Sequence, residues 1–224
     1  MGRVEEAGAA ESSAYSFTSR FMLLASLGCS GFLIILNFLT ALSLDLIHLL
    51  PSFPMRIFVE LPAYAAFVFV LVGSLIFLPW GLWHGQRWSA VLPLTIGLVT
   101  IAALLLIPFK ELGITRDFQV YHAQRERVVA DVVSGVLQPN VLHNDRVIHL
   151  PTSYGSVSEG GNDIVVDREG EVLRVMFFTN RGVIDNYSGF VYCADGIAPT
   201  NETLGGQIVE IDQYDPHWFW VSVT

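Results

Sequence analysis

Three uncharged runs decide what this chain can fold into. Phe21 to Leu44 spans 24 residues, Leu61 to Trp83 spans 23 and Trp88 to Phe109 spans 22, and none holds a charged side chain. A helix rises about 1.5 Å per residue, so each run is long enough to cross the roughly 30 Å hydrocarbon layer of a bilayer. Backbone amides in lipid must bond one another, and the runs lack the alternation of a barrel strand. Three transmembrane helices are expected, over about 21–44, 61–83 and 88–109.

The charges follow the same division. Residues 21–109 carry only Asp45, Arg56, Glu60 and Arg87, whereas residues 110–224 carry 8 basic and 16 acidic side chains, most of the chain's net −9. Overall 15% of the residues are charged, against about 25% in soluble domains. This pattern excludes a simple soluble enzyme and describes an anchor joined to an acidic, water-facing domain over 110–224. No basic patch exists to neutralise phosphates, so nucleic acid is not an expected partner. The expected partners are the lipid bilayer and either a protein or a second copy of the chain. Cys29 and Cys193 lie in different parts, so no disulfide is expected.

Processing signals are weak. Ser26-Leu27-Gly28-Cys29 has a lipoprotein flavour, but the apolar run continues past Cys29 instead of turning polar. Met1-Gly2 lacks the Ser or Thr that myristoylation needs at the sixth position. Residues 1–20 show no apolar period and read as a disordered tail. Within the spans, Gly28, Ser30 and Gly31 are small enough for close helix packing. Pro62 suits a first helical turn, Ser89 a helix cap, and Trp80, Trp83 and Trp88 the headgroup level.

Three spans put the termini on opposite sides. Arg3, Arg20 and Arg87 flank one side, and Arg56, Lys110 and Arg116 the other. The flank of the first helix favours a cytoplasmic N-terminus and an extracytoplasmic C-terminal domain at the cell membrane. Asp45, His48, Arg56 and Glu60 form a polar cluster around the first loop. Interfacial anchoring explains it; ion handling by a small transporter or channel subunit is the alternative.

Beyond Phe109 the pattern changes. A helix opening near Thr115 places Phe118, Tyr121, Val128, Val129, Val132 and Val136 on one stripe, and Gly135 and Pro139 end it. Strands then follow at 146–150, 163–167, 171–179, 187–193, 208–211 and 218–223. Arg168-Glu169-Gly170 reads as a three-residue hairpin loop. Short turns make neighbouring strands antiparallel. The expected fold is three transmembrane helices followed by a small α+β domain, one amphipathic helix against a five- or six-stranded antiparallel sheet.

Chemistry is harder to find. His143, Asp145 and His149 are two and four residues apart, share a face when extended, and supply ligand types that zinc accepts. Asp167, Glu169 and Glu171 lack the length and closing Glu of a calcium loop. Cys193 shares a strand face with Val191 and suits a small buried residue better than a nucleophile. There is no Gly-x-Ser-x-Gly elbow and no phosphate loop, and no cofactor is expected. Tyr187, Tyr192, Trp218 and Trp220 fall on neighbouring strands, where anchors for a partner would stand. Asn186-Tyr187-Ser188 and Asn201-Glu202-Thr203 match the short glycosylation pattern. The leading expectation is a non-catalytic multi-pass membrane protein whose C-terminal domain binds a partner or ligand near the bilayer. A membrane-bound metal-dependent hydrolase using His143, Asp145 and His149 is the second, and the transporter or channel subunit the third.

Overall fold

A computed structural model describes residues 2–41, 53–85, 87–169, 172–181 and 186–224. The chain divides into two compact units, Met1–Ile114 and Thr115–Thr224.

The first unit holds three long apolar helices, α1 (Gly2–Ala41), α2 (Phe53–Trp83) and α3 (Arg87–Leu106), each touching the other two. Their segments Tyr15–Ala41, Phe58–Trp83 and Arg87–Leu106 are long and apolar enough to cross a membrane. α1 begins at Gly2, so the expected tail is helical here; alanine and glutamate between Glu5 and Glu11 are strong helix formers.

Several expectations inside the bundle are corrected. Pro62 lies within α2 rather than in its first turn, together with Pro79, and Ser89 lies within α3 rather than capping it. Proline is tolerated inside membrane helices because neighbouring groups take up the freed carbonyls. Nothing lies within 4 Å of a Cβ built at Gly28 or Gly31, so these are not the close-packing positions. Those are Gly81, where a Cβ would stand 2.5 Å from that of Ala90, and Gly97, where it would meet Leu71.

Several polar side chains in the spans bond to their own helix. Asn37, Ser74, Thr95 and Thr100 each donate to the carbonyl four residues earlier, the usual remedy where water is absent. Asn37 also donates to Tyr64 Oη at 3.0 Å, joining α1 to α2. Tyr15 shares a 3.3 Å hydrogen bond with Ser89 and stacks on Phe77.

The second unit holds most of one long helix, two short helical segments and one sheet. α4 (Phe109–Val133) starts six residues before the expected Thr115, directly after Pro108, and is followed by Gly135 at φ +78. Six strands follow: β1 (Val147–His149), β2 (Asp163–Glu169), β3 (Val172–Arg181), β4 (Tyr187–Cys193), β5 (Ile208–Asp215) and β6 (Trp218–Val223). A short helix, α5 (Asn201–Leu204), precedes β5. All pairs are antiparallel, in the order β1-β2-β3-β4-β6-β5. The expected α+β architecture is the observed one. The hairpin differs: Glu169 pairs with Val172, so Arg168 and Glu169 belong to β2 rather than to the loop.

Register explains why the strands are apolar on consecutive residues. Ile148, Ile164, Phe177, Phe190 and Trp220 are successive cross-strand partners, and all are buried. This row faces α4, whose buried residues are Arg125, Val128, Val129 and Val132. One residue along each strand, Val147, Val165, Met176, Val191 and Phe219 form a second row on the opposite face. Strand side chains alternate, so a sheet covered on both faces needs apolar residues in pairs. Gly189 is required where β4 crosses β3, because a Cβ there would overlap the Phe177 carbonyl.

Candidate functional site

The two sheet faces are finished differently. On the α4 face the core is closed. Arg125 is 1% exposed and its guanidinium lies over Phe190, Tyr121 and Phe177 at 4.9–5.8 Å. It donates from Nε to the Val157 carbonyl and pairs with Asp117 at 2.7 Å. Trp218 is fully buried and its Nε1 donates to Glu126 at 2.5 Å, while Trp220 is 3% exposed. Trp218 and Trp220 are therefore core residues, a correction to their expected place on a partner surface: β6 is an interior strand under the helix. Tyr192, half-buried, meets Trp218 edge-on and the His217 ring at a tilt.

The opposite face is open over part of its area. A cleft of about 270 Å³ lies against it, floored by Val147, Val165, Met176, Phe178 and Val191 and walled by Tyr187, Thr203 and Leu204. Tyr187 alone of the four expected aromatics borders it. Its hydroxyl donates to the Leu204 carbonyl at 2.7 Å and holds α5 as one wall. Burial pushes the Tyr187 phenol above its ordinary value, against a smaller opposing effect of Arg146.

Charged residues gather at one end of the cleft. Asp167 stands opposite Arg174, and Arg174 opposite Cys193, in a row beside the apolar one. Arg146 pairs with Asp167 at 2.8 Å. Arg174 is 12% exposed and lies 3.8 Å from the Asp195 carboxylate. Burial raises the Cys193 thiol to about 11, outweighing the pull of Arg174. At neutral pH that thiol stays protonated, as its expected role as a small buried residue requires.

The candidate metal ligands do not assemble. His149 Nδ1 lies 2.8 Å from Asp163, which also meets Arg181 at 3.3 Å. His149 is further fixed by Asn140, whose side-chain amide bonds both its backbone N–H and its carbonyl. That amide occupies the outer edge of β1, where another strand could otherwise pair. His143 stands at φ +63 in the turn closed by the Val141–Asn144 bridge, and Asp145 borders a second hollow beside the C-terminal end of α4. Among the described residues, no three His, Cys, Asp or Glu side chains are gathered to hold a metal. Asp45 and His48 lie outside the described residues, as does the side chain of Arg56. Glu60 is half-buried on α2.

Two groups of residues escaped the sequence. Arg146 and Arg174 carry no motif, and only the true β2–β3 register puts Arg174 beside Asp167. Arg125 had a visible signal: it continues the spacing of Phe118, Tyr121, Val128 and Val132, where a buried cation is not expected. Comparison with protein families, curated proteins and solved structures finds no match to this chain.

Proposed function

We infer that this is a membrane-anchored binding protein. Three helices long and apolar enough to cross a bilayer fit an integral membrane protein, and the sheet domain carries the site. The observation behind this reading is the cleft lined by the apolar row Val147–Val165–Met176–Val191 and bordered by Arg146 and Arg174. Apolar floors with a few convergent polar groups are the usual make-up of small-molecule sites. The third span ends at Leu106 and the second unit begins at Thr115.

The test is native mass spectrometry of the full-length protein taken directly from its own membrane. A bound small molecule is expected on the wild-type protein and lost from Val191→Trp, which fills the cleft. The same species on both proteins would overturn the reading.

The positive-inside argument adds a proposed orientation, with the N-terminus cytoplasmic and the sheet domain outside. Cys193 is too buried to report it. Ile197 is 63% exposed, so Ile197→Cys offers an accessible thiol. Modification of intact cells by an impermeant maleimide is expected; modification from the cytoplasmic side alone reverses the orientation.

A further inference from the structure

We propose that the cleft takes an uncharged small molecule, an apolar body with a single oxygen as its polar end, laid along Val165, Met176 and Val191. This rests on reading the cleft as a binding site and adds the class of ligand. Size comes first. At about 270 Å³ the cleft sits just below the roughly 300–1,000 Å³ of drug-sized ligand pockets, so it suits one small molecule rather than a whole lipid.

Register sets the apolar part. Val147, Val165, Met176 and Val191 cross four adjacent strands, and strands lie about 4.8 Å apart, so the row is about 14 Å long. The hydroxyls of the walls are already engaged. Tyr187 donates to the Leu204 carbonyl, and Thr203 shares a 3.0 Å hydrogen bond with Thr200. Asn144 is the neutral polar group beside Arg146. Its side-chain oxygen accepts from the Arg146 backbone N–H at 3.0 Å, and its amide nitrogen gives the lining an uncharged donor for a ligand oxygen.

Charge at the polar end is balanced within the protein. Arg146 meets Asp167 at 2.8 Å. Arg174 stands opposite the same Asp167, donates to the Cys193 sulfur and lies 3.8 Å from Asp195. Two guanidiniums thus face two carboxylates. A carboxylate entering here would have to displace Asp167 from Arg146. An ammonium would meet both guanidiniums, with Asp167 already taken. Either ion gives up water without gaining a partner, a cost that a neutral molecule does not incur.

Met176 gives a direct reading from the floor of the cleft. The full-length protein, in nanodiscs of zwitterionic lipid and labelled with carbon-13 at its methionine methyls, is titrated with hexanol, hexanoate or hexylammonium, three heads on one chain. Met176→Leu assigns the resonance. Hexanol is expected to shift Met176 saturably and to bind about tenfold or more tightly than either ion, the usual penalty for a charge left without a partner. Asp167→Asn removes the carboxylate that both arginines face, so it should bring hexanoate close to hexanol and leave hexanol binding unchanged. The wild-type comparison stands without that variant. Either ion binding wild-type protein as tightly as hexanol would overturn the neutral ligand while the cleft stands. A Met176 resonance that hexanol leaves in place, but that moves when the nanodisc lipid is exchanged for its chain-brominated form, would put a lipid chain there and overturn the proposal. No Met176 response to any probe or lipid, in protein whose near-ultraviolet circular dichroism is intact, would overturn the cleft as well.

Discussion

Arg125 and Asp117 form an ion pair inside the second unit, Nη1 to Oδ1 at 2.7 Å, with the arginine side chain 1% and the aspartate 16% exposed. They lie two turns apart on α4, and the reach is possible because helical side chains lean toward the N-terminus. The pair is satisfied further by the Val157 carbonyl and by three aromatic rings.

Breaking one side of such a pair strands the other. Asp117→Asn should destabilise the second unit by about 3 kcal/mol, whereas Arg125→Met, which removes the buried charge and fills its space, should cost less. Denaturant unfolding followed by near-ultraviolet circular dichroism of the buried tryptophans measures both. Equal losses would show that packing, not charge, dominates.

Glu126 accepts the buried indole N–H of Trp218. Glu126→Leu leaves that donor unsatisfied and should cost about 1–3 kcal/mol; Glu126→Gln keeps an acceptor and should cost less. Unfolding midpoints followed by tryptophan emission distinguish the two.

Cys193 predicts an alkaline limit. Its folded value is raised from 9.0 to about 11 by burial, so the folded state favours the protonated thiol. The sign follows from linkage: the stabilisation is complete below pH 9, shrinks as pH rises above 9, and is gone once pH passes 11. Wild-type stability should fall between pH 9 and 11 more steeply than that of Cys193→Ala. Parallel curves for the two proteins would remove the thiol as the cause. Thiol alkylation of the folded protein should stay slow at pH 8.

The membrane bundle separates glycines by their neighbours. Gly81→Leu would drive a side chain into Ala90 and Tyr15, and overpacking of this kind typically costs about 1–3 kcal/mol. Gly28→Leu meets open space and should leave the bundle's thermal midpoint in detergent unchanged. The opposite ranking would mean that the helices pack through another face.

The two halves of the chain were not equally legible. Phe21–Leu44, Leu61–Trp83 and Trp88–Phe109 declare themselves because lipid imposes one rule on every backbone group, and uncharged length is enough to read it. Strands β4 and β6 were readable to the residue, since apolar runs bounded by turns mark a sheet covered on both faces. What the sequence concealed was register. A three-residue loop at Arg168-Glu169-Gly170 would have set Asp167 opposite Glu171, two like charges; the observed pairing sets it opposite Arg174. Like charges directly opposite are unfavourable and opposite charges favourable, so pairing energy across strands, not local turn preference, settled the hairpin. That register creates the polar row beside the apolar one, and with it the cleft.

By itself, the order of residues determined the three long apolar helices and the small α+β domain that follows them, because burial in lipid and strand alternation are local, periodic demands. Only the tertiary structure decided which face of the sheet is sealed. It buried Trp218 and Trp220 under α4, drew Arg125 into the core, and left Met176 beside an opening. Contacts between distant strands carry no periodic signature, and a side chain's surroundings depend on them.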